Sequence, residues 1–120
     1  MKQHERVVLF DGKSLDNWKR EDGGRPEWKL EDGTMTVVDH DIMSKETFGD
    51  AVIHVEFRVP YMPDAQGQWR GNSGVFLQGM YEIQVLDSYG VNIPGTGDCG
   101  AFYQMHAPLI NACKAPLEWQ

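Results

Sequence analysis

The stretch RGNSGVFLQGMYEIQVLDS, residues 70–88, decides the architecture. Two runs of β-prone residues, Gly74 to Leu77 and Met80 to Leu86, flank Gln78-Gly79, a break of the kind that turns one strand back on the next. The stretch reads as a hairpin. Its second arm sets Glu82, Gln84 and Asp87 among Tyr81, Ile83, Val85 and Leu86. Side chains alternate along a strand, so Glu82 and Gln84 share a face, and Asp87 joins them if a bulge re-aims the end of the strand. Three polar groups among such apolar neighbours single out this arm for chemistry.

Upstream of the hairpin, Tyr61 to Trp69 with Pro63 and Gly67 reads as a loop, and Arg70, Gly71 and Asn72 lead out of it. Before that loop lies the cleanest alternation in the chain. Ala51, Ile53, Val55, Phe57 and Val59 form an apolar face that belongs in a core, opposite Val52, His54, Glu56 and Arg58. The polar face has two accounts: solvent exposure with a cross-strand Glu/Arg pair, or a groove shared with Glu82 and Gln84. Further back, Trp28 to Val38 with Asp32-Gly33 reads as a second hairpin, and Ile42 to Ser44 as a short strand. Arg6 to Phe10 is expected as a strand, Leu15 and Trp18 as one helical turn, and the first five residues as a loose polar terminus.

Downstream, Tyr89 to Gly100 is a long loop rich in Gly, Asn, Pro and Thr, of the type that rims a site. Ala101 to Tyr103 reads as a short strand and Gln104 to Gln120 as irregular chain. Helical periodicity is absent, so the fold class is all-β and the 120 residues make one domain.

Composition narrows the function. The formal net charge is -7 with no run of Lys or Arg, which argues against nucleic acid and anionic membrane surfaces as partners, since both need clustered positive charge. The early apolar run Val7 to Phe10 is too short for a signal peptide's hydrophobic region. Localisation stays open, because an exported protein without its leader would read the same. Cys99 and Cys113 lack metal-ligand spacing; they read either as a bridge or as two free thiols.

Several motifs, taken in order, resemble one family. LFDGKSLDNW at residues 9–18, EFR at Glu56 to Arg58, NSGVFLQG at Asn72 to Gly79, YEIQVLDS at Tyr81 to Ser88, GAFY at Gly100 to Tyr103 and the closing Glu118-Trp119 are similar to the 3-keto-disaccharide hydrolase domain. The resemblance implies a jelly-roll β-sandwich of the concanavalin A-like lectin and glucanase type, and a role in carbohydrate breakdown, often in exported bacterial proteins. It stops where that domain normally continues through several more strands. The expectation is therefore a C-terminally shortened sandwich, one that exists as a truncated version or pairs with another copy or subunit to complete its sheets.

YEIQVLD also resembles the ExDxxE strand of retaining glucanases, with Gln84 in place of the middle acid and Asp87 in place of the last. The shorter Asp87 and the missing middle acid argue against ordinary double displacement. For a sugar oxidised at C3 another route is open. The ketone acidifies the C2 hydrogen, a base removes it, and the enolate expels the glycosidic oxygen before water adds. Glu82 is the candidate base and His54 the second choice; Arg58 and Arg70 are candidate oxyanion stabilisers and Asp87 an orienting group. Gln84, Glu56, Asn72 and Tyr103 are candidate substrate contacts, with Trp69, Tyr89 and Tyr103 as the aromatic platform that a purely sugar-binding module would use. A divalent ion is the other usual enolate stabiliser, and His54, Glu56, Glu82 and Asp87 carry suitable ligand atoms. No local ligand motif joins them, so no cofactor is expected.

Overall fold

A computed structural model describes residues 5–120, so most of the expected loose terminus lies outside the described residues. Among the described residues all paired strands are antiparallel, and the only helical element is a single 3-10 turn at Gly67–Trp69. The fold is all-β. The chain divides into two compact units, one ending at Val52 and the other Ile53–Gln120.

In the first unit, β1 (Trp18–Lys19) pairs with β4 (Met43–Ser44), and β2 (Lys29–Glu31) pairs with β3 (Thr34–Thr36). The second pair is the expected hairpin. Asp32 and Gly33 both take left-handed backbone, φ 53 and 75, which is the twist-matched two-residue turn that Asp-Gly favours. Two half-buried tryptophans act as anchors: Trp18 Nε1 donates to Leu9 O at 2.9 Å and Trp28 Nε1 to His40 O at 2.8 Å. Each ring is packed while its N–H finds an acceptor. The expected strand at Arg6 to Phe10 does not form; the carbonyl of Leu9 serves the side chains of Asn17 and Trp18 instead of a ladder. Leu15 and Trp18 are joined by one turn, with Trp18 N–H on Leu15 O at 3.0 Å, and β1 begins at once.

The second unit is built on β5 (Ser73–Leu77) and β6 (Tyr81–Val85), in register from Ser73 opposite Val85 to Leu77 opposite Tyr81. Gln78 and Gly79 close it with φ 56 and 65. A third segment flanks β6: Gln84 N–H bonds to Ala101 O at 3.0 Å, Gly100 N–H to Gln84 O at 2.9 Å and Tyr103 N–H to Glu82 O at 2.9 Å. Ala101 to Tyr103 thus behaves as the short strand its sequence suggests. Behind it Phe102 stacks on Tyr81, ring centroids 5.5 Å apart. The core of this unit gathers on Val59, Leu86 and Ala101.

Ala51 to Val59 departs from its sequence pattern. No part of it is a named strand; only Phe57 and Val59 find partners, through Phe57 with Gln120 in both directions (2.8 and 3.0 Å) and Leu117 N–H on Val59 O (2.9 Å). Val59 is buried and Phe57 half-buried, whereas Ile53 and Val55 are exposed and Val52 is 100% exposed. An alternating pattern describes a strand's faces but supplies no neighbour for its edges, and residues 51–56 make no backbone bond to another described segment.

Candidate functional site

The face of the β5–β6 hairpin that carries Glu82 and Gln84 also carries Phe76, opposite Glu82, and Gly74, opposite Gln84. Gly74 leaves a gap, and the Glu82 side chain fills it. A Cβ at Gly74 would stand 2.7 Å from Glu82 Oε1, 2.8 Å from its Cδ and 2.9 Å from its Cγ. The half-buried Glu82 therefore lies across the partner strand, with the backbone of Tyr103 pairing on its other side.

Next to it is an amide network. Gln84, only 2% exposed, donates from Nε2 to Gln68 Oε1 (3.0 Å) and to Gly97 O (3.1 Å). Gln68 in turn donates to Gly97 O at 2.8 Å, and Asn72 Nδ2 donates to Gln68 O at 2.9 Å. The long loop after Ser88 is thus tied to the hairpin at Gly97, where the Tyr103 ring also approaches. Burial leaves the Gln84 amide little surface of its own to offer. Its Oε1 is buried without a hydrogen-bond partner.

Beyond β6 the pairing slips by one residue. Continued register would set Gly71 opposite Asp87, but Asp87 N–H donates to Arg70 O at 3.2 Å, and Gly71 takes φ 57. That offset, with a glycine in the left-handed region, is a bulge, and it lies on the first arm where the sequence pointed to the second. The buried Asp87 carboxylate accepts from Tyr89 N–H (3.2 Å) and sits 3.9 Å from Arg70 Nε, which also donates to Met62 O (3.2 Å). Arg70 and Asp87 form one unit, separate in its bonding from the amide network.

The remaining sequence candidates occupy two further places. His54 and Glu56 are exposed and pair with each other at 3.8 Å, while Arg58 lies over the Trp119 ring, 5.1 Å from its centroid. These two contacts stand where a cross-strand Glu/Arg pair was expected. Trp69 closes the 3-10 turn beside Gln68 and is 84% exposed. Among the described residues no group of three or more His, Cys, Asp or Glu is arranged to hold a metal ion.

Gln68 and Gly74 escaped the sequence reading. Gln68 sits in a loop without periodicity, and the partners that tie it to the network, Gln84 and Gly97, are 16 and 29 residues away, so no local pattern announces it. Gly74 carried a signal, a glycine inside a strand pattern, which marks a close approach by another group.

Nearly the whole of this chain matches one family: residues 5–120 match the 3-keto-alpha-glucoside-1,2-lyase-like domain. The chain belongs to this family. The 3-keto-alpha-glucoside-1,2-lyase-like chain is also similar to a solved structure, that of a proposed glycosyl hydrolase from Parabacteroides distasonis, with 46% identity and a TM-score of 0.87. The likeness covers 94% of this chain and 49% of that one, so the chain spans about half the length of its structural relative. No curated protein matches it. Among the described residues no helix is long and apolar enough to cross a membrane.

Proposed function

We propose that this domain acts on carbohydrates, cleaving the glycosidic bond of 3-keto-glycosides with Glu82 as general base. The observation that carries the reading is the placement of the Glu82 carboxylate across Gly74, on a sheet face flanked by an amide network and by Tyr103. Family membership and the glycosyl hydrolase likeness support the substrate class.

The chemistry asks little of the protein. Glu82 takes the C2 proton that the C3 ketone has acidified, the C2–H electrons form the enolate, and the C1–O bond breaks as the alcohol departs with a proton. Water then adds across the new double bond to complete hydrolysis. Arg70, held by Asp87, and Arg58 are the donors for the enolate oxygen, and Asn72, Tyr103, Glu56 and Trp69 contact the sugar. His54 is the alternative base. A carboxylate so used is worth roughly 10²–10⁴-fold in rate.

The deciding assay compares product release from a 3-keto-glucoside and from its unoxidised parent, with and without a chelator. Cleavage of the keto sugar alone is expected, and Glu82→Gln should lower turnover by about 10²-fold or more while sugar binding persists. Unchanged turnover in that variant would remove Glu82 from the role, and cleavage of both sugars would restore double displacement by Glu82 and Asp87.

A second reading rests on Trp69. An aromatic ring 84% exposed beside polar amides suits a sugar-binding module without chemistry. In that case Trp69→Ala abolishes binding and Glu82→Gln changes nothing. Under either reading the finer architecture is that of a concanavalin A-like jelly roll.

A further inference from the structure

A second cluster in the unit Ile53–Gln120 takes no part in the proposed reaction. It is built around Leu86, 1% exposed, and the buried Ser88. Cys99 N–H donates to Ser88 Oγ at 3.0 Å, and that hydroxyl donates to Asp98 Oδ1 at 3.0 Å. Asn111 Nδ2 donates to Ser88 O at 2.7 Å and to Val91 O at 2.9 Å, and Asn111 Oδ1 accepts Cys113 N–H at 3.0 Å. Both cysteine backbones are therefore pinned to the same serine, one directly and one through a single asparagine.

The Cys113 side chain reaches the same backbone: its S–H lies within hydrogen-bond distance of Leu86 O, at 3.6 Å, the carbonyl that also accepts Ser88 N–H at 3.0 Å. Both thiols are free and half-buried. Burial above all, with the neighbouring Cys113 thiol adding to it, pushes the Cys99 thiol up.

We propose that Cys99 and Cys113 are a redox pair that closes to a disulfide, fastening the loop that carries Gly97 to the carboxyl-terminal segment. Each thiol gives up a proton and an electron as the S–S bond forms, and a small-molecule disulfide oxidant takes both and leaves as two thiols. The backbones of both cysteines are held through Ser88 beforehand, and the bond reduces the chain freedom of the unfolded state. Oxidation then steadies the loop whose Gly97 carbonyl receives Gln68 and Gln84.

The test is equilibration of the full chain with oxidised glutathione, read by intact mass, thiol titration and thermal melting. The expected result is loss of two hydrogens, a thiol count falling from two to none, a linked peptide pair containing Cys99 and Cys113, and a Tm several degrees higher that returns on reduction. Cys99→Ser and Cys113→Ser should each abolish the Tm rise. Glutathione attached separately to the thiols, thiols that stay reduced, or a Tm that fails to rise on closure would each overturn the proposal.

Discussion

Gly74 lies beneath the Glu82 carboxylate, and its missing Cβ decides where that carboxylate rests. The φ of Gly74 is not in the left-handed region, so alanine fits the backbone and restricts the unfolded chain. Gly74→Ala should therefore leave Tm within a few degrees of the parent while displacing the Glu82 side chain. If Glu82 is the base, kcat for a 3-keto-glucoside should drop about tenfold or more, since small misplacements of a reacting group are costly; equal kcat in the two proteins would show that this contact has no bearing on turnover. At Cys99, burial first, then the neighbouring Cys113 and Asp98, push the thiol above its ordinary value against the opposing pull of the Leu86 N–H. The fold thus favours the protonated thiol. Its contribution is complete below the ordinary value of 9.0 and is lost as pH rises through the raised folded value. Alkaline melts of the reduced protein should show Tm declining as pH rises past the ordinary value of 9.0, and Cys99→Ala should flatten the decline.

At the scale of elements, the two hairpins use the same turn with unequal residues. Asp32-Gly33 joins β2 to β3 and Gln78-Gly79 joins β5 to β6, all four with positive φ. Aspartate and asparagine tolerate that first position because a short polar side chain bonds locally, whereas glutamine gains nothing there. Gln78→Asn should stabilise the chain by about 0.5–1 kcal/mol, measured as a higher urea midpoint at constant slope. Because the turn lies at the far end of the hairpin from Asp87 and the bulge, sugar cleavage should not change. Both hairpins were legible in the sequence because turn type and alternation are local properties. The third segment was partly legible: Ala101 to Tyr103 looks like a strand, but only the bonds from Gly100, Gln84 and Tyr103 reveal that it lies beside β6. Ala51 to Val59 misled for the complementary reason, since its pattern is local while its pairing is not.

For the whole molecule, the exposed apolar residues matter most. Val52, Ile53 and Val55 are exposed along a segment that makes no backbone bond to another described segment at residues 51–56. An extended apolar segment of this kind recruits another chain. If a second copy covers it, light scattering should report a dimer and Tm should climb with protein concentration, whereas a monomer with a concentration-independent Tm would rule out self-pairing. Replacing Ile53 and Val55 by threonine should then weaken the dimer while leaving the monomer's Tm nearly unchanged. By itself the sequence determined the all-β class, both hairpins, the shared face of Glu82 and Gln84, and the family resemblance, because alternation, turn residues and motif order are written within a few residues of one another. Tertiary structure alone decided that Gln68 and Gly97 hold Gln84, that Asp87 is buried beside Arg70 at a bulge, that Arg58 turns to Trp119, and that Ser88 holds the Cys99 backbone directly and the Cys113 backbone through Asn111. Those pairings join residues far apart in the chain, and a side chain's partner across such a distance is set by how the backbone closes, which no local pattern encodes.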